Sequence, residues 1–204
     1  MTEVLLPSEL SPSRNYFLLT SLLVPRPIAW VSTRSAAGVV NVAPFSFYGG
    51  ISGNPPILGL GIGRRADGRP KDTARNAIET GEFVVHLVEE DQVEAMVGCS
   101  AELEPEVSEA EALGLVLEDS RLVQPPSLAR ARVRLECRLH QHQEVGNGPV
   151  DFLMGEVVAF VLAEGLLDEA GRVDEEQLQP VSRLGGAWYA PVRDRFRAQR
   201  PTNK

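Results

Sequence analysis

Between Ala131 and His140 the chain alternates strictly: Ala131, Val133, Leu135, Cys137 and Leu139 are apolar, and Arg132, Arg134, Glu136, Arg138 and His140 are not. Successive strand side chains point to opposite faces, so this reads as a half-buried antiparallel strand. Gly146-Asn147-Gly148 turns the chain, and Phe152 to Leu162 returns as its partner. Upstream, Ile28 to Thr33 is a short apolar run rich in β-branched residues. Ala36-Ala37-Gly38 makes a turn and Val39 to Tyr48 resumes extended character, which predicts a hairpin. Gly49 to Pro56 reads as a Gly/Pro/Asn loop. From Ile57 to Ile62, glycine alternates with Leu58, Leu60 and Ile62, the pattern of a strand whose backbone something approaches closely. Phe83 to Val88 is a further buried strand.

Helical signals are short. Asp72 or Thr73 can cap a helix through Thr80, with Gly81 in the C′ position. Asp91 to Val97 predicts another, and Ser108-Glu109-Ala110-Glu111 has the form of a capping box opening a helix that stops near Gly114. Strands at hairpin-like spacing with short helices between them predict a mostly β fold, a closed or nearly closed antiparallel barrel. These helices are too short and too few for the crossovers of a parallel sheet. Gly59-Leu60-Gly61-Ile62-Gly63 also departs from the GxGxxG of a dinucleotide-binding turn, and no helix follows it directly.

The 204 residues are 43% hydrophobic and 24% charged, enough for one domain with an ordinary core. A formal charge of -8 argues against a nucleic-acid or anionic-membrane surface, so any cations that matter are local. No apolar run approaches the ~20 residues of a membrane span, and the N-terminus lacks a signal-peptide pattern, so the expected location is cytoplasmic. Cys99 and Cys137 are too few for a disulfide framework and are expected to be reduced and structural. His140 and His142 share a strand face that two metal ligands could use, but nothing completes a set; they read as solvent-facing, and no metal is expected. His86, inside an apolar strand, reads as a satisfied core or interface residue. No Ser-His-Asp or Cys-His arrangement stands out.

The candidate chemistry lies between Pro25 and Asn76, with one further segment near the C-terminus. Gly63 to Thr73 gathers Arg64, Arg65, Arg69 and Lys71 at the start of a helix, where charge-assisted donors, free amides and the helix dipole would all attract a phosphate. The same run also reads as a solvated basic turn feeding an ordinary helix. Ser32 and Thr33 end an apolar strand and Ser46 lies between Phe45 and Phe47, hydroxyls and aromatics that suit a flat ring in a water-poor slot, or equally a plain core with strand-ending hydroxyls. Flavin mononucleotide (FMN) has such a phosphate at one end and such a ring at the other. Val181 to Tyr189 carries Arg183, Gly185, Gly186 and Tyr189, which would bring backbone close to a ligand or partner, or form a surface turn with a docking aromatic pair.

Taken in order, Pro25 to Thr33, Asn41 to Phe47, Gly63-Arg64-Arg65, Lys71-Asp72-Thr73 with Asn76, Gly81 to Val85, and Arg183-Leu184-Gly185-Gly186 resemble the flavin reductase-like, FMN-binding split-barrel flavoproteins. The resemblance spans roughly Tyr16 to Tyr189. It implies a homodimer of six-stranded antiparallel split barrels with FMN near the dimer interface, in a single domain over 1–204 (barrel core about 16–165, segment 166–204 completing the site or dimer). It further implies that Ser32 and Thr33 contact the flavin ring or ribityl chain. Phe45, Ser46 and Phe47 would line the ring, and Arg64, Lys71 and Thr73 would hold the phosphate. Arg183, Gly185 and Tyr189 would close the ring end, Arg183 being the one catalytic candidate. The implied activity is NAD(P)H-dependent flavin reduction, with NADH or NADPH as donor and a monooxygenase as possible partner; an FMN carrier without efficient nicotinamide turnover is the alternative. Members that supply monooxygenases often carry Gly-Asp-His before the last long strand. Here the segment is Gly146-Asn147-Gly148-Pro149-Val150-Asp151, without histidine.

Overall fold

The computed structural model of the chain describes residues 2–199 and 201. The remainder of the segment 166–204, residues 200 and 202–204, lies outside the described residues. In chain order the first half holds α1 (Pro12–Leu22), β1 (Arg26–Pro27), β2 (Ala29–Arg34), β3 (Val40–Phe45), β4 (Tyr48–Gly53), β5 (Pro56–Gly63), α2 (Asp72–Thr80), β6 (Glu82–His86) and α3 (Val93–Gly98). The second half holds α4 (Glu109–Ala112), β7 (Leu117–Glu118), β8 (Ser127–Leu128), β9 (Val133–Val145), β10 (Val150–Leu162), β11 (Val181–Arg183) and β12 (Tyr189–Pro191).

The main sheet is antiparallel, in the order β3-β2-β6-β9-β10-β5-β4. Its two edge strands, β3 and β4, are consecutive in the chain, with only Ser46 and Phe47 between them. A sheet whose outer strands are joined by two residues has to curl until those edges meet. The seam there carries no β3–β4 ladder. The sheet therefore has seven strands where six were expected, and hydrogen bonding does not close it. The extra strand comes from the run read as a loop: Gly49, Gly50, Ser52 and Gly53 pair with β5, so a ladder holds extended a segment whose composition alone signals a turn.

β2 explains why Ile28 to Thr33 is apolar without alternation. Ala29 and Val31 face one core with Leu60, Phe83 and Leu153, while Ile28 and Trp30 face a second with Val42, Met96 and Leu128. Both faces are covered, so the period-2 signal vanishes. Ala74 and Ala77 of α2 lie on the first core, and Gly81 ends that helix in the left-handed conformation (φ 75°), as its position predicts. β9 keeps its alternation with one exception. Glu136 is fully buried because residues 119–126 fold over it, and its carboxylate accepts from the amides of Arg121 (2.7 Å) and Leu122 (2.6 Å).

Other expectations shift. α1 was not read from the sequence, although Ser11 followed by Pro12 is a cap signal and Ser11 Oγ accepts from the Arg14 amide at 3.2 Å. Its Tyr16, Phe17, Leu19 and Leu22 remain exposed. The capping box at Ser108 does not form: the hydroxyl is buried without a partner, and Glu109 turns inward to accept from the Val42 amide at 2.9 Å. Helix α3 begins at Val93, after a 3-10 turn over Glu90–Gln92. Cys99 and Cys137 are free and buried.

Candidate functional site

Three clefts meet at Pro44 and Phe45, where β3 runs into the corner at the seam. One of about 360 Å³ lies between α1, the corner and the β11–β12 turn, walled by Tyr16, Phe45, Ser46, Met96, Arg183 and Tyr189. A small one of about 80 Å³ reaches the start of α2 and is walled by Asn41, Arg65, Lys71, Thr73 and Ser100. The largest, about 940 Å³, spreads over the outer face of β4 and β5 between Tyr16, Phe47, Ile51, Phe152 and Arg64. Together they form a groove with a cationic end and an aromatic end.

The cationic end starts from α2. Its N-cap, Lys71, has no side-chain cap bond, so the amides of the first helical turn lack helical partners, and Asp72 and Thr73 wall the small cleft. Lys71 Nζ sits 3.5 Å from Glu102 Oε1, and both side chains are partly exposed. Arg65 donates to Asp72 Oδ2 at 2.5 Å and to the Leu103 carbonyl at 3.3 Å. The hydrogen bond to Asp72 raises its pKa above the ordinary arginine value. Asp72 also pairs with Arg75 at 2.6 Å. Behind them, Asn41 Nδ2 donates to Thr73 Oγ1 (2.8 Å) and lies 3.4 Å from Thr33 Oγ1, which also accepts from Asn76 (3.2 Å). Glu109 stands at the same end, its pKa raised by burial.

Arg64 and Arg65 are neighbours with opposite destinations. Arg64 makes a two-pronged contact with Asp151 (3.0 and 2.9 Å) and reaches Glu144 at 2.6 Å, on the β9–β10 hairpin. His142 Nε2 lies 3.0 Å from the same Asp151. Burial pushes the Asp151 carboxyl up, but hydrogen bonds from Arg64 and His142 outweigh it and hold it below the ordinary range. Two consecutive residues leaving a strand point to opposite sides, a signal that only one of this pair would reach the small cleft. That one is Arg65, a loop cation that the resemblance does not assign to the phosphate.

At the aromatic end, the Arg183 guanidinium lies 4.5 Å from the Tyr189 ring centroid and donates to the Gly186 carbonyl. Phe47 packs against Tyr16, with centroids 6.1 Å apart, and faces the large cleft. Gly185 is pressed against α1: a Cβ there would meet Ser21 Oγ at 3.2 Å, while Gly186 (φ 58°) lines the cleft. Ser32 and Thr33 are fully buried behind the groove, and the Ser32 hydroxyl donates to the Pro126 carbonyl at 2.6 Å. The structure thus brings Phe45, Ser46, Phe47, Lys71, Thr73, Arg183 and Tyr189 onto connected clefts. It leaves Ser32 and Thr33 behind them, while Arg64, a wall of the large cleft, is paired with the hairpin. The alternating glycines of β5 are approached by Phe152, Ile51 and Phe47 rather than left open.

His86 is fully buried; its Nδ1 is 2.8 Å from the Trp30 carbonyl, and Nε2 accepts from the Leu128 amide at 3.0 Å, a pattern that fits the neutral ring with its proton on Nδ1. Desolvation pushes its pKa down to about 4. His140 is exposed, and no group of three or more metal-ligating side chains occurs among the described residues. Nor, among them, is any helix long and apolar enough to cross a membrane.

The family described as "Flavin reductase like domain" matches residues 21–178. A protein of Halalkalibacterium halodurans is 48% identical over 200 residues, covering 96% of this chain and 95% of its own. The crystal structure of nitrilotriacetate monooxygenase component B from Bacillus cereus superposes with a TM-score of 0.93 at 39% identity, covering 97% of this chain and 99% of that one. That of the 2-nitrobenzoate 2-nitroreductase of Pseudomonas fluorescens gives 0.89 at 34% identity, covering 98% and 97%.

Proposed function

The chain belongs to the flavin reductase-like domain family, and from that premise we propose that it binds FMN in the groove across the seam and works as an NAD(P)H-dependent flavin reductase or related oxidoreductase. The observation that carries this reading is the groove's polarity. The uncapped start of α2, Lys71 and Arg65 stand at one end, and Arg183 stands among aromatic walls at the other. These donors fit the group: a phosphate takes charge-assisted bonds and helix amides, and a planar ring takes the aromatic slot. Asp72 and Glu109 do not defeat the fit, because Arg65, Arg75 and the Val42 amide already engage them.

Bound FMN would supply two-electron transfer between a nicotinamide and an acceptor. The chain's own part is to hold, orient and tune. Lys71, Arg65 and Thr73 fix the tail. Phe45, Ser46 and Phe47 form the floor and turn of the slot, with Ser46 supplying backbone and hydroxyl groups. Arg183, steadied on Tyr189, places positive charge where reduction would build negative charge, and Gly185 lets α1 close on that wall. No acid–base pair is needed. The exposed Tyr16, Phe17, Leu19 and Leu22 of α1 beside the groove support a homodimer whose interface borders the site. The remaining expectations, a single working unit over 1–204, a cytoplasmic location and a partner monooxygenase, belong to the same proposal.

The test is direct. Protein passed through a desalting column after mixing with FMN should emerge yellow, and anaerobic NADH or NADPH should bleach it within seconds. Colourless protein refutes the FMN reading. Yellow protein bleached by dithionite alone supports the carrier reading, which the locked Asp151 of the hairpin favours: it faces Arg64 and His142 and offers nothing to a nicotinamide.

A further inference from the structure

Arg26 is not exposed, with 8% of its surface accessible, yet its guanidinium holds together three segments that build the aromatic end of the groove. Nη1 donates to the carbonyls of Thr20 and of Leu23 (2.7 Å), at the exit of α1. Nε donates to Ser46 Oγ at 3.3 Å, in the corner between β3 and β4. Nη2 donates to the Leu184 carbonyl at 3.0 Å, next to Arg183. All of these acceptors are neutral, and no Asp or Glu lines this cleft.

The β1–β11 register sets Arg26 directly opposite Arg183, so both side chains leave the same face of the small sheet. Like charges opposite one another repel, and a buried charge without a carboxylate is unfavourable. Burial, then the nearby Arg183 charge, lower the Arg26 pKa below the ordinary arginine value. A neutral side chain would be the cheaper way to fill the space. What only a guanidinium provides is a rigid plane of N–H groups aimed in several directions at once, and a lysine ammonium cannot reproduce that fork.

Resting on the FMN reading above, we propose that Arg26 is a positioning residue: by tying α1, Ser46 and Leu184 together it fixes where Arg183 stands over the aromatic end, and so sets the reduction potential of bound flavin through Arg183. The like charge also turns Arg183 away from Arg26 and onto Tyr189, toward the ligand rather than into the core.

The experiment uses the full chain as wild type, R26K, R183M and the R26K/R183M double variant, loaded with FMN. Midpoint potential is measured by dye equilibration, with thermal melting and the FMN and riboflavin dissociation constants beside it. If wild type takes up no flavin, the FMN reading fails, and Arg26 is not the reason. With flavin bound, R26K should lower the potential most of the way to that of R183M, and the double variant should match R183M alone. FMN and riboflavin should weaken by the same factor, because only the shared ring is affected. An R26K potential equal to wild type overturns the proposal, whether the melting temperature falls or not. So does a double variant whose shift is the sum of the two single shifts, because the residues would then act independently. Should R26K fail to fold, R26Q takes its place, keeping amide donors without the guanidinium fork, and must lower the potential in the same direction; an unmoved potential there overturns the proposal equally.

Discussion

Replacing Lys71 with alanine should weaken FMN and spare riboflavin. Lys71 Nζ is 3.5 Å from Glu102 Oε1, and the two side chains are 38% and 57% exposed, so the existing ion pair contributes about 0.5 kcal/mol. A phosphate monoester carries roughly 1.5 to 2 negative charges at neutral pH. At ~4 Å each charge attracts an ammonium by about 1 kcal/mol in water, and more beside a protein wall. Subtracting the pair that Lys71 gives up leaves about 1–1.5 kcal/mol, or a roughly 5- to 12-fold rise in Kd for K71A. Quenching of flavin fluorescence on titration with protein measures both ligands under the same conditions. Riboflavin, which has no phosphate, should bind K71A and wild type alike. The gap between the two proteins should also narrow as salt screens an exposed cation. E102Q should act in the opposite direction and tighten FMN by about twofold, because it removes a competitor for the same ammonium. Equal weakening of both flavins by K71A would place Lys71 at the ring or in the fold, and the phosphate assignment would be refuted.

Other expectations follow from the packing. G155A should destabilise the barrel by about 3 kcal/mol, since an added Cβ would lie 2.3 Å from Phe83 Cζ and that ring is fully buried; a urea midpoint equal to wild type would mean that β10 yields freely. S32A should cost about 1–3 kcal/mol by leaving the Pro126 carbonyl unpaired, without changing FMN affinity; weaker FMN binding at unchanged stability would show that the hydroxyl reaches the ligand. His86 binds no proton in the folded state until pH about 4, whereas the unfolded chain protonates it near 6.5. The unfolded state therefore takes up more protons as pH falls between those values, and stability should drop by up to about 3 kcal/mol across that window. The paired Asp151 acts at lower pH, so a difference between wild type and H86Q isolates the histidine. Parallel pH–stability curves for the two proteins would refute this.

Alternation in β9, the Gly81 stop of α2, the apolar run of β2 and the aromatic corner at Phe45–Phe47 are written in local sequence, because strand pleat, left-handed caps and burial act over a few residues. The family was legible for the same reason, since the motifs keep their chain order. Composition misled at Gly49–Gly53, where the ladder with β5 overrides the turn signal, and at Ser108, whose hydroxyl stays buried without a partner while the neighbouring Glu109 accepts from the distant Val42 amide. Which arginine borders the small cleft was not a local matter. Arg64 and Arg65 look equivalent in sequence, and Asp151, 87 residues on, claims the first while Asp72 holds the second beside the small cleft. The role of Arg26 likewise exists only once Thr20, Ser46 and Leu184 converge on it. Sequence determined the strands and the kinds of chemistry available, because these depend on neighbours along the chain. Tertiary structure decided where each cation stands, because a charge is drawn to whichever partner the fold carries within reach.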